Sequence, residues 1–142
     1  MSSKGKSPGE SKPAAGGALV KSADQSQLDF EIEFFAGIIE RYPDYVDALR
    51  VQGNNLTLKG RFVDGLQIDK RLVQLRPSDP LVHYNLACSF ALLKRADLAL
   101  KTLRRAVELG YRDFRYMRED RDLDCIRNDP RFRQLLREFE NR

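Results

Sequence analysis

Residues 46–113 read VDALRVQGNNLTLKGRFVDGLQIDKRLVQLRPSD followed by PLVHYNLACSFALLKRADLALKTLRRAVELGYRD. They are one pattern written twice, over 46–79 and 80–113. Gly53 matches Ala87, Leu49 matches His83, Leu56 matches Phe90, Gly65 matches Ala99, Leu72 matches Ala106 and Leu75 matches Leu109. Each pair is 34 residues apart (87 − 53 = 34). A period of this size marks stacked helix–turn–helix units. Such a hairpin cannot bury both of its apolar faces alone, so stability comes from contacts between units. Leu86, Phe90 and Leu93 form one helical stripe of the second unit, and Leu98, Leu103, Ala106, Val107 and Leu109 form the next. Small residues at 53, 87, 65 and 99 stand where the helices approach, because a larger side chain would force the pair apart.

Turn chemistry sets the expected boundaries. Asp44 is placed to cap a helix running from Tyr45 to about Leu58, Lys59-Gly60-Arg61 makes the turn, and Phe62 to Arg76 returns, stopped by Pro77. Ser78 or Asp79 caps the next helix, with Pro80 in its first turn. That helix runs to about Lys94. Asp97 to Leu109 follows, and Gly110 suits a left-handed end.

The second unit resembles a tetratricopeptide repeat, with Leu86-Ala87, Phe90, Ala99 and Ala106 on pattern. His83 replaces the usual Trp, Leu103 the usual aromatic residue and Tyr111 the usual Pro. The first unit keeps Gly53, Leu56, Leu72 and Pro77, and departs at Gln52 (Leu expected), Gly65 (Ala) and Asp69 (aromatic). The resemblance implies an all-α fold: a short right-handed superhelix of about two and a half hairpins with a C-terminal helical cap. The domain spans 25–142, with a half repeat at 27–42, repeats at 46–79 and 80–113, and the cap at 114–142. The run Asn128-Asp129-Pro130-Arg131-Phe132 is similar to an ending found in bacterial proteins of this family.

Upstream, residues 1–24 are rich in Ser, Gly, Pro and Lys. Such a composition buries too little apolar surface to offset ordering entropy, so a disordered tail is expected. Gly5-Lys6-Ser7 is not a phosphate-binding loop, since the upstream Gly and a preceding strand are missing. Ser26-Gln27-Leu28-Asp29 fits a capping box. The helix that follows carries Leu28, Ile32, Phe35 and Ile39 on one face, with Phe30, Phe34 and Ile38 beside them. This belt is wide for a helix with one neighbour. Phe30, Phe34 and Ile38 therefore form a candidate dimer or partner surface. Downstream of Tyr111 the pattern drifts. Short helices are expected over 111–118 and 122–127, and then a final amphipathic helix opens at Asp129-Pro130 with Phe132, Leu135, Leu136 and Phe139.

The 142-residue chain has 25 basic and 21 acidic side chains and a net charge of +4. That balance suits solvated helix faces. No apolar run is long enough for a membrane span and no secretory h-region is visible. Cys88 and Cys125 lack metal or redox spacing and read as small hydrophobes, which fits a reducing, cytoplasmic setting. His83 takes a packing position, so no acid–base or nucleophilic set is placed and no enzyme is expected. Asp120, Asp122 and Asp124 open like a calcium loop, but Cys125 and Arg131 stand where Gly and Glu are required. The acids instead suit helix caps and Arg pairing. No cofactor, no metal and no nucleic-acid stripe is expected.

Family resemblance implies that the first helices of the hairpins line a concave groove for peptides. The groove residues are then Arg50, Asn54 and Leu58 of the first unit, Leu81, Tyr84 and Asn85 of the second, and Arg115 beyond. Arg50, Asn54, Asn85 and Arg115 match four members of the family's carboxylate clamp, while Glu119 has the wrong sign for the fifth. Arg forks onto carboxylates and Asn both donates to and accepts from a peptide backbone. The expected function is a non-catalytic module binding a peptide or partner helix, with homodimerisation through Phe30 and Phe34 as the alternative.

Overall fold

In the computed structural model, residues 22–141 are described, and all their regular structure is helical. The helices are α1 (Ser22–Arg41), α2 (Val46–Lys59), α3 (Phe62–Leu75), α4 (Pro80–Leu92), α5 (Ala96–Glu108), α6 (Phe114–Glu119) and α7 (Pro130–Glu140), with a 3₁₀ segment, Arg121–Ile126, between the last two. Each helix from α1 to α4 packs on the next in the chain, the 3₁₀ segment packs on α4 and α5, and α7 packs on α5. No described helix is long and apolar enough to cross a membrane.

Two series of N-caps carry the period into three dimensions. First helices are capped at Tyr45, Asp79 and Asp113, and second helices at Arg61, Arg95 and Asp129. Neighbours in each series differ by 34 (79 − 45 and 129 − 95). The C-terminal stretch, whose sequence drifts from the repeat pattern, therefore stays in phase: α6 and α7 start where the helices of a further unit would start. Equivalent residues of adjacent units touch, as in Arg131–Asp97 at 2.9 Å and Arg104–Glu138 at 3.0 Å.

Capping is uneven. Asp79 accepts from Leu81 N–H at 2.9 Å with Pro80 in the first turn, and Asp129 does the same for Arg131 N–H. Asp120 caps the 3₁₀ segment through Asp122 N–H at 3.0 Å, and Asp124 pairs with Arg127. Asp44 does not cap α2: its carboxylate is drawn to Arg71, and Tyr45 takes the N-cap place with no side-chain hydrogen bond. Nor does Ser26 begin α1, which already runs from Ser22. Residues 22–24, expected in the disordered tail, are helical; the rest of that tail, 1–21, lies outside the described residues.

The core is lopsided. Its main cluster runs from Leu66 through Phe90, Leu103 and Val107 to Ile126, Leu135 and Phe139. A smaller cluster joins Leu49, Leu72 and Val82. The approach of α2 to α3 depends on Gly53, where a Cβ would stand 3.3 Å from Ile68 Cγ2 and 3.2 Å from Asp69 Oδ1. That is tight enough for Gly53 to be the residue that permits this approach.

Candidate functional site

Arg50 and Asn54 stand one turn apart on α2, with Leu58 a further turn on; all three are half-buried. The guanidinium of Arg50 already has a partner in Asp79, 2.8 Å away at the start of α4. Beside this pair an open cleft of about 640 Å³ is lined by Asp44, Tyr45, Asp47 and Arg76 as well. Asn85 is half-buried on α4. Arg115 leaves α6 with its side chain 91% exposed and only a loose pairing, 4.0 Å, to Glu119.

Leu81 and Tyr84, expected on the groove wall, are core residues instead. Tyr84 is fully buried, and so is Cys88 next to it. Its ring stacks on Tyr111 with centroids 4.2 Å apart and planes 1° from parallel, while Tyr116 leans in at 6.3 Å. Its hydroxyl donates to Asp120 Oδ2 at 2.7 Å. The cover is the chain's own 111–126 segment, folded back over α4. Burial, then the nearby Cys88 and Asp120, hold the Tyr84 phenol well above its ordinary range, and burial does the same for Tyr111. The expected groove position of Tyr84 is thus covered from within, and Arg50, Asn54, Leu58 and Asn85 are the expected groove residues that keep partial exposure.

The chemistry-bearing residues elsewhere have structural work. His83 is buried with Nε2 2.8 Å from Pro77 O. Cys88, Asp120 and Asp122 bring ligand-type atoms within 4.8 Å of one another. Both oxygens of Asp120 are engaged, however, one by Tyr84 and the other by Asp122 N–H. Cys125 is exposed rather than packed in the core, with Sγ 3.1 Å from Ala91 O.

On the opposite flank, Phe30 and Phe34 are 64% and 55% exposed, stacked on each other at 6.3 Å, and Ile38 is half-buried nearby. A further cleft, of about 610 Å³, opens between α1 and α3 over a floor that includes Gln52 and Leu56. Sequence reasoning did not single it out as a site. The available signal was Gln52 in a position where Leu is expected.

No family model matches the chain. Over 92 residues it is 27% identical to a chloroplastic protein of Arabidopsis thaliana. The match covers 63% of this chain and 28% of that protein, so the chain spans well under a third of the relative's length.

Proposed function

We propose that the chain is a short tetratricopeptide-type repeat protein serving as a non-catalytic protein-binding module. Its ligand is an extended peptide or a partner helix lying along Arg50, Asn54 and Asn85. The 34-residue recurrence of helix starts supports the family reading, since units of that period are helical hairpins. The observation that carries the function is half-buried Arg50 on the wall of a cleft of about 640 Å³, with half-buried Asn54 one turn along α2. An incoming carboxylate competes with Asp79 for Arg50, a bidentate exchange that Arg suits better than Lys. With Leu81 and Tyr84 buried, Asn85 is what the second unit adds to Arg50 and Asn54, and the stripe accommodates a short ligand.

The test is a library of short peptides with free C-termini, read by fluorescence anisotropy. A peptide that binds the wild-type chain should lose about 10- to 100-fold in affinity on Arg50→Ala with Asn85→Ala, or roughly 1–3 kcal/mol for hydrogen bonds to a charged group. Equal binding by a variant with unchanged circular dichroism would remove the groove assignment.

The exposed Phe30 and Phe34 favour a second reading, a homodimer through α1. Large contiguous apolar surface on a monomer commonly marks an interaction site.

A further inference from the structure

The cleft between α1 and α3 lies across α2 from the proposed peptide stripe. Gln52 and Leu56 on its floor are about half a helical turn round α2 from Arg50 and Asn54. Four carboxylates line it, those of Asp29, Glu33, Glu40 and Asp64, against two cations, Arg61 on the wall and Lys59 at Asp29, a net of −2 (2 − 4). The whole chain carries +4, so the sign is local to this cleft. Asp29 is paired with Lys59 and Asp64 with Arg61. Among the described residues Glu33 and Glu40 make no ion pair. They are seven residues apart on α1, about 10 Å, with the small Ala36 between them. Beneath this rim lie the apolar side chains of Ile32, Ile39 and Ile68.

The floor holds a second, independent feature. Gln52 is 4% exposed and its Nε2 donates to Ile32 O at 2.9 Å. Its Oε1 is buried with no hydrogen-bond partner among the described residues. A buried acceptor without a donor is costly, and a leucine here would carry no such cost.

We propose that this cleft docks a basic amphipathic segment of a partner protein. Apolar side chains of the segment rest on Ile32, Ile39 and Ile68. Two Lys or Arg residues reach Glu33 and Glu40, and a small turn of the Gln52 side chain lets Oε1 accept from a donor N–H. The carboxylate spacing corresponds to cations about seven apart on a helix or about three apart on an extended strand. The chain's own residues 1–21 are basic as well, with four Lys against one Glu. Their larger apolar pair, Leu19-Val20, is too near Ser22 to serve: Ile32 lies about 15 Å along α1, whereas three extended residues span about 10 Å.

The probe is a fluorescein-labelled Leu/Lys amphipathic peptide of about four helical turns, with its Leu/Glu counterpart as control, titrated against the full chain. The Leu/Lys peptide should bind, the Leu/Glu peptide should not, and amide shifts should centre on the facing walls of α1 and α3. Glu33→Gln with Glu40→Gln, both on the exposed surface, should weaken binding at least tenfold, and Arg50→Ala should leave it unchanged. Gln52→Leu should weaken binding several-fold with a melting temperature equal to or above wild type. Equal affinity for the two peptides, or full binding by the double Glu variant, overturns the proposal. Tighter binding when Lys4, Lys6, Lys12 and Lys21 are all replaced by Ala also overturns it, since the chain's own segment is then the occupant.

Discussion

Lys94 has φ 63°, a left-handed backbone that few side chains tolerate. Gly60, 34 residues earlier, has φ 85° at the same turn (94 − 60 = 34). The hydrogen bonds match as well: Arg61 N–H donates to Leu56 O and Arg95 N–H to Phe90 O, both at 2.9 Å. One turn is thus made twice, once by the residue suited to it and once by a residue that is not. Lys94→Gly should stabilise the chain by about 0.5–1 kcal/mol, the left-handed cost of about 1–2 kcal/mol less the entropy lost by a glycine. Gly60→Ala should destabilise by a similar amount. Urea unfolding of the two variants checks both signs. A Lys94→Gly variant less stable than wild type would mean that Lys94 makes compensating contacts.

At the level of the elements, the decisive joint is between α4 and the 111–126 segment. Tyr84, Tyr111 and Asp120 build it, and both phenols are raised above the ordinary value of 10.0. The folded chain therefore retains protons that the unfolded chain releases near pH 10. By linkage this contribution is fully present below about pH 10 and is lost as pH rises through the folded values. Absorbance in the near ultraviolet, where phenolate absorbs, and helical circular dichroism should together show these two phenolates forming only as the helices melt. All phenolates formed with the helical signal intact would contradict the burial argument. This joint also takes Tyr84 out of the expected groove. Tyr84 has the spacing of a surface residue on its own helix, and its cover comes from 27 to 36 residues further on (111 − 84 and 120 − 84).

For the molecule as a whole, the uneven core is what matters. The large cluster unites α4, α5 and the C-terminal helices, while α1 contributes Leu28 and Ile32 against α2 and leaves Phe30 and Phe34 outside. On the C-terminal side α7 packs on α5 with Phe132, Leu135, Leu136 and Phe139, all buried. At the N-terminus the described residues provide no equivalent cover. On the self-association reading, light scattering should show mass rising toward a dimer with concentration, and Phe34→Asp should return it to the monomer. A monomer at every concentration would leave α1 to a different partner.

Helical class, the 34-residue phase and most element boundaries were legible in the amino-acid order alone. Those follow from short-range chemistry: apolar spacing along a helix, Pro77 and Pro80 at breaks, Gly60 and Gly110 in left-handed turns, and Asp79 and Asp129 as caps. Where a local cue met a distant competitor it failed, as at Asp44, which a residue 27 positions away claims. Which faces stay open was settled by packing in three dimensions. It buried Leu81, covered Tyr84 with the 111–126 segment, paired Arg50 with Asp79 and exposed Cys125. It also set Gln52 beneath a cleft walled by two helices that are not neighbours in the chain. Exposure is a property of what packs from elsewhere, and no periodicity within one helix records that.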